Sequence, residues 1–230
     1  ITKLNIDIVC FQEFYNVDQC YTTIENSNYT IIETNDNGSG LVLMVHKNIK
    51  DDIIHVKRIR LKQNISILEI GTYAGMSLIE LVRNIPNSTG IGVDMWSNYN
   101  ENKLLENMDA LQVEQSFYKN IKTAGLENRI CGLKNSSTSA LLNFIKANKT
   151  FDFIYVDGSH LCLDCYGDML LSWTLLEKGG MMAIDDYTFN AFDPSKVLES
   201  PFDGVNHFLR NYEGEYTLLS KEYRVFLTKS

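Results

Sequence analysis

A chain of 230 residues with a formal charge of −8 and an isoelectric point near 5.0 lacks the basic face on which general nucleic-acid binding relies. Its composition, 44 % hydrophobic and 22 % charged, is that of a soluble globular protein, and no apolar run reaches the ~20 residues of a membrane helix. The opening ITKLNIDIVCFQEF has neither the basic head nor the small-residue cleavage site of a secretory leader. Five unevenly spaced cysteines (Cys10, Cys20, Cys131, Cys162 and Cys165) read as reduced thiols, so a cytoplasmic protein is expected.

Residues 1–60 differ in character from the rest. Short apolar runs at Asn5 to Phe11, Tyr29 to Glu33 and Gly40 to His46 predict strands, the last two separated by the turn signal Asn35-Asp-Asn-Gly-Ser. A small β-rich N-terminal segment is expected here, followed by a second domain over 61–230.

From about residue 62 strand and helix signals alternate. The apolar run Ile65 to Ile70 predicts a buried parallel strand, with Glu69 near its end. Gly71 and Gly75 follow it, and a helix-periodic run begins at Met76. Further strands are predicted at Ile91 to Met95, Arg129 to Leu133, Phe151 to Val156 and Met181 to Ile184. Helices are predicted within Asn102 to Ala124, at Ser137 to Ala147 behind the capping residue Ser136, and at Leu161 to Glu177, closed by Gly179-Gly180. A short helix, Val205 to Tyr212, precedes two strands, Tyr216 to Leu219 and Tyr223 to Leu227, which lie too close in sequence to be anything but an antiparallel hairpin. The expected fold is therefore α/β: a Rossmann-like, doubly wound, mostly parallel sheet with an antiparallel C-terminal hairpin.

Such sheets bind ligands beyond the carboxyl ends of their strands. The acidic residues collect there: Glu69, Asp94, Asp157, Asp185 and Asp186. One strand-end Asp is an ordinary turn residue, but acids ending four strands of one sheet point to a site. Asp94, about 20 residues beyond the glycine turn, is placed to accept the hydroxyls of a ribose. The turn lacks the G-x-G-x-x-G spacing that receives a pyrophosphate, and Glu69 would repel a phosphate. A cationic ribosyl ligand meets both conditions, and S-adenosylmethionine is one.

Glu69-x-Gly71-x-x-x-Gly75 together with Asp94 resembles the first two motifs of the class I S-adenosylmethionine-dependent methyltransferases, over roughly residues 60–230. The phrases Phe151-Asp-Phe-Ile-Tyr-Val-Asp-Gly-Ser-His160 and Leu175-Leu-Glu-Lys-Gly-Gly-Met-Met-Ala-Ile-Asp-Asp-Tyr187 are similar to the small-molecule branch. That branch includes the macrocin-type and rhamnosyl sugar O-methyltransferases and the cephalosporin hydroxylase-like proteins. The resemblance implies that Asp157, Asp185 and Asp186 hold Mg²⁺, that His160 is the general base, and that Asp157 and His160 form the catalytic set. It also implies a cofactor site built from Glu69, Gly71, Tyr73, Gly75, Ser77, Asp94, Met95, Trp96, Ser136 and Asp157, with Trp96 and Tyr99 walling the adenine.

The expected function is Mg²⁺-assisted O-methylation of a sugar-like small acceptor. A non-catalytic binding or scaffold protein on the same fold is the alternative, and self-association is left open. In residues 1–60, Ile6-Asp-Ile-Val-Cys-Phe-Gln-Glu13 resembles the start of the endonuclease/exonuclease/phosphatase family, in which Glu13 would be a metal ligand. That family's later motifs do not follow.

Overall fold

The computed structural model describes residues 29–33, 42–46, 64–85, 87–97 and 110–230. The first two stretches are the strands β1 (Tyr29–Glu33) and β2 (Val42–His46), paired antiparallel with Tyr29 opposite His46. They fall on two of the strands expected in residues 1–60. The strand expected over Asn5 to Phe11, and Glu13, lie outside the described residues.

The remaining elements alternate as the apolar pattern requires. They are β3 (Ser66–Ile70), α1 (Met76–Asn84), β4 (Thr89–Asp94), α2 (Ala110–Ala124), β5 (Ile130–Lys134), α3 (Ser137–Lys146), β6 (Phe151–Val156), α4 (Cys162–Leu175), β7 (Leu176–Ile184), α5 (Phe202–Asn211), β8 (Tyr216–Lys221) and β9 (Val225–Lys229). Strands β3 to β9 form one sheet of spatial order β5-β4-β3-β6-β7-β9-β8. The first five run parallel, and β9 and β8 close the edge antiparallel. The fold is thus the expected Rossmann-like one. The chain leaves the centre toward β5, then returns to the other side of β3 with β6. A cleft therefore opens between the ends of β3 and β6, where the winding reverses.

Both faces of the sheet are covered. On one, Leu68, Ile70, Ile154, Val156 and Ile184 pack against Ala140 and Leu141 of α3, Met169 and Trp173 of α4, and Val205 and Phe208 of α5. On the other, Ile65 and Ile67 meet Leu78 and Val82 of α1 and Phe117 and Ile121 of α2. Alternate residues of β3 serve opposite layers, as the two-residue period of a strand dictates. Phe208 is fully buried, with Trp173 at 5.6 Å and Tyr212 at 4.7 Å between ring centroids. Phe208→Ala is expected to cost about 3–5 kcal/mol of stability, the usual loss for a buried aromatic. Denaturant unfolding checks this, and a loss below about 1 kcal/mol would show that the site collapses around the cavity.

One boundary differs from the expectation. Helix α4 stops at Leu175, and β7 begins at Leu176, so Gly179-Gly180 lie within a strand and do not close a helix. Tertiary contacts decide this. Leu176 pairs with Phe151, and the ladder slips between Phe151 and Phe153. The Lys229 Nζ donates to the carbonyls of Trp173 (2.7 Å) and Leu176 (2.9 Å), satisfying the end of the helix from another strand. A Cβ on Gly180 would stand 2.9 Å from the Asp152 carbonyl oxygen, so only glycine fits the slipped register.

Candidate active site

Four neighbouring strands, in the order β4-β3-β6-β7, end on one rim. That adjacency brings Asp94, the Gly71–Gly75 turn, Asp157 and the Asp185-Asp186 pair side by side. The turn after β3 is bound into its neighbours by backbone: the Gly71 N–H donates to the Val93 carbonyl at 2.8 Å. Gly71 has φ +79°, and a Cβ there would fall 1.9 Å from the Asp157 carbonyl oxygen. Gly75, also at φ +79°, lies under the Phe117 ring, 2.7 Å from where its Cβ would be. Both positions therefore need glycine for conformation and for space.

Asp94 is held by two backbone amides. Its Oδ2 accepts from the Tyr73 N–H and its Oδ1 from the Trp96 N–H, each at 2.8 Å. Tyr73 and Trp96 both adopt left-handed backbone, at φ 47° and 38°, which few residues take without reason. The Trp96 indole N–H donates to the Tyr73 carbonyl at 2.9 Å, tying the loops after β3 and β4 together. Trp96 is itself buried on Phe117 and Tyr118, so its ring supports the loop from below. Tyr73, Met76 and Met95 stand exposed around Asp94, at 42 %, 45 % and 41 %. A carboxylate fixed by two amides and bordered by exposed apolar side chains suits a ribose with its base. Tyr99 lies outside the described residues.

Glu69 is fully buried, and its carboxyl accepts from the Thr72 and Ser77 hydroxyls. Burial pushes it up to about 7, against the pull of those two hydrogen bonds. Ser77, expected beside the ligand, serves Glu69. Ser136, also expected there, caps α3, its hydroxyl oxygen accepting from the Ser139 N–H at 3.3 Å. Since Glu69 binds its proton more tightly folded than unfolded, the folded state holds more protons between pH about 4.5 and 7. Its contribution is fully present below pH about 4.5 and is lost as the pH rises through about 7. Glu69→Gln is expected to remove that slope from the pH dependence of unfolding. An unchanged slope would place its source elsewhere.

The second half of the rim holds a charge network. Asp157, after β6, is pushed up to about 9, first by burial and then by Asp185, Glu69 and Asp186 nearby. Asp185 is 6 % exposed. It accepts the Arg224 Nε–H at 2.9 and 3.0 Å, the Asp186 N–H at 2.8 Å and the Tyr155 hydroxyl. Asp186, at φ 54°, meets the His160 Nε2 at 2.7 Å and accepts the Tyr223 hydroxyl. Burial alone would raise Asp186; the hydrogen bonds from His160 and Tyr223 outweigh it and hold the carboxyl below its ordinary range. The His160 ring also packs on Phe189, 4.8 Å between centroids. Asp157, Ser159, His160, Asp185, Asp186 and Pro201 line one small cleft.

Mg²⁺ was the expected occupant of Asp157, Asp185 and Asp186, and the residues as arranged do not fit it. Asp185 is neutralised by Arg224, and Asp186 is engaged by His160 and Tyr223. Among the described residues no group of three or more His, Cys, Asp or Glu side chains is disposed to hold a metal ion. The sequence reading missed Thr72, Tyr155, Tyr223 and Arg224. Thr72 sits inside the first motif and could have been found as a hydroxyl three residues from a buried acid. The other three become partners only through strand order.

With this geometry in place, likeness to known proteins narrows the reading. A family model described as a methyltransferase domain matches residues 68–187, more than half of the chain. The chain belongs to this methyltransferase-domain family. An uncharacterised protein of Acanthamoeba polyphaga mimivirus is 22 % identical over 160 residues, covering 69 % of this chain and 66 % of that protein. Among solved structures, the O-methyltransferase TomG of Streptomyces achromogenes, in complex with S-adenosylmethionine, superposes with a TM-score of 0.57 at 18 % identity, over 73 % of this chain and 74 % of its own. MycE, a methyltransferase of the mycinamycin biosynthetic pathway solved with Mg, S-adenosylhomocysteine and mycinamycin VI, gives 0.52 at 18 % identity. That match covers 73 % of this chain and 45 % of MycE. These structures share the fold of the methyltransferase domain.

Proposed function

We propose that the protein is an S-adenosylmethionine-dependent O-methyltransferase acting on a hydroxyl of a sugar or similar small acceptor, through a domain spanning 61–230 with residues 1–60 apart from it. The observation that carries this reading is Asp94, held by the Tyr73 and Trp96 amides beside exposed Tyr73, Met76 and Met95. Each carboxylate oxygen retains lone-pair capacity after accepting one amide, so Asp94 would take the two ribose hydroxyls while the apolar side chains border the adenine. The Gly71 and Gly75 backbones would allow the close approach of the methionine part. Bound there, S-adenosylmethionine would supply the methyl group in electrophilic form.

The acceptor hydroxyl must lose its proton as its oxygen gains the methyl group. His160 is the residue placed to receive that proton. Asp186, on Nε2, orients the imidazole and stabilises the charge it acquires. Ser159, His160 and Asp186 give the cleft a polar lining that suits a hydroxyl-bearing acceptor. Asp185 and Asp186, the acids expected to hold a metal ion, are engaged by Arg224, His160 and Tyr223.

Isothermal calorimetry with S-adenosylmethionine, followed by transfer of its labelled methyl group to a panel of sugar and catechol acceptors, tests the proposal. One-to-one binding with label on a sugar hydroxyl is the expected result. A well-folded protein that binds no S-adenosylmethionine would overturn it in favour of a scaffold role.

A further inference from the structure

We infer that Arg224 is the resident cation of the acidic rim, occupying with its guanidinium the place a divalent ion would take, so that this site works without a metal. The inference rests on the methyltransferase reading for its catalytic meaning, and on Arg224, Asp185 and their neighbours for its structural content.

An ionised carboxylate offers about four lone-pair positions on its two oxygens. At Asp185 three donors cover them, one shared between the two oxygens. Oδ1 accepts the Arg224 Nε–H and the Asp186 N–H; Oδ2 accepts the same Arg224 Nε–H and the Tyr155 hydroxyl. The side chain is 5 % exposed, so these partners are not traded for water. An entering Mg²⁺, which demands near-octahedral oxygen ligands, would have to displace one of them and accept a permanent guanidinium charge alongside.

The backbone keeps Arg224 in place. It lies in the turn between β8 and β9, where the Glu222 N–H donates to the Arg224 carbonyl at 2.9 Å. That turn is bound to the segment after β7, the Tyr187 N–H donating to the Tyr223 carbonyl at 2.9 Å. Val225, the next residue, is fully buried and pairs with Ile184, one residue before Asp185. Arg224 therefore reaches the rim through a strand pairing, which a flexible surface arginine would lack. The same turn sends the Tyr223 hydroxyl to Asp186. One hairpin thus supplies a cation to the first acid of the pair and a hydroxyl donor to the second.

Division of the pair follows. Asp185 is the anchor for Arg224 and Tyr155, and Asp186 is the positioning residue for His160. In a metal site both would face one ion.

The test titrates the intact protein with Mn²⁺, a paramagnetic stand-in for Mg²⁺, and follows binding by electron paramagnetic resonance and calorimetry, with no cofactor or acceptor present. The wild type and Arg224→Lys, which keeps a cation, are expected to show no stoichiometric Mn²⁺ site. Arg224→Met is expected to gain one, tighter than any wild-type binding by about tenfold or more, as removal of an adjacent like charge requires. The gain should vanish in Arg224→Met with Asp185→Asn. A wild-type Mn²⁺ site lost on Asp185→Asn overturns the inference, and so does a folded Arg224→Met that gains nothing. Should Arg224→Met not fold, the wild-type titration with and without Asp185→Asn decides alone. Because Mn²⁺ binding is read without methyl transfer, failure here is distinct from failure to bind S-adenosylmethionine.

Discussion

His160→Ala should lower kcat for methyl transfer by about 10²- to 10⁴-fold, the contribution usual for a positioned general base, while leaving the affinity for S-adenosylmethionine unchanged. An alcohol keeps its proton at neutral pH and is a poor nucleophile. The Asp186 carboxylate beside Nε2 favours the tautomer with its proton on that nitrogen, which makes Nδ1 the proton acceptor. Phe189 against the ring face and the Tyr223 hydroxyl on the far oxygen of Asp186 hold the pair in register. Asp186→Asn should reproduce part of the loss and shift the pH profile of kcat, because the amide no longer balances the imidazolium that forms. Steady-state rates with a saturating acceptor, alongside calorimetry of the cofactor, separate the two effects. A His160→Ala enzyme of undiminished kcat would remove the base from the mechanism.

Asp94→Ala should weaken S-adenosylmethionine binding by about 1–3 kcal/mol, the scale of a lost hydrogen-bonding partner in a partly buried site, which is about 5- to 150-fold in Kd. Two losses combine here. The ribose hydroxyls lose their acceptor, and the Tyr73 and Trp96 amides lose the carboxylate that organises their left-handed turns. The variant is expected to fold, since Asp94 is only partly buried and lies outside both core clusters. Calorimetry on a sample of unchanged unfolding midpoint is the check, and equal affinity in wild type and variant would move the ribose site elsewhere.

Much of the fold was legible because its signals are local. Buried parallel strands need continuous apolar runs, and those at Phe151–Val156 and Ser66–Ile70 stand out. The turn glycines at Gly71 and Gly75 mark backbone that no other residue adopts easily. Gly179-Gly180 misled for the complementary reason. A glycine pair after an apolar helix reads as a cap, and only the slipped ladder against Phe151 and the Lys229 side chain on the helix carbonyls make it part of a strand. Ser77 and Ser136 show the same limit at the site. The Ser77 hydroxyl donates to a buried acid, a partner that the sequence does not announce, and the Ser136 hydroxyl caps a helix.

Layer architecture, the position of the rim and the acids along it are written in the local sequence. Apolar periodicity and strand-end residues are properties of short stretches, and burial enforces them wherever they occur. What each acid does depends on contacts between distant parts of the chain. Asp185 meets Arg224 across 39 residues and Tyr155 across 30, and Asp186 meets His160 across 26. A carboxylate in a row of carboxylates reads as a metal ligand until its counter-charge is known. Here strand order supplied that counter-charge, by placing β9 beside β7 and the β8–β9 turn over the rim.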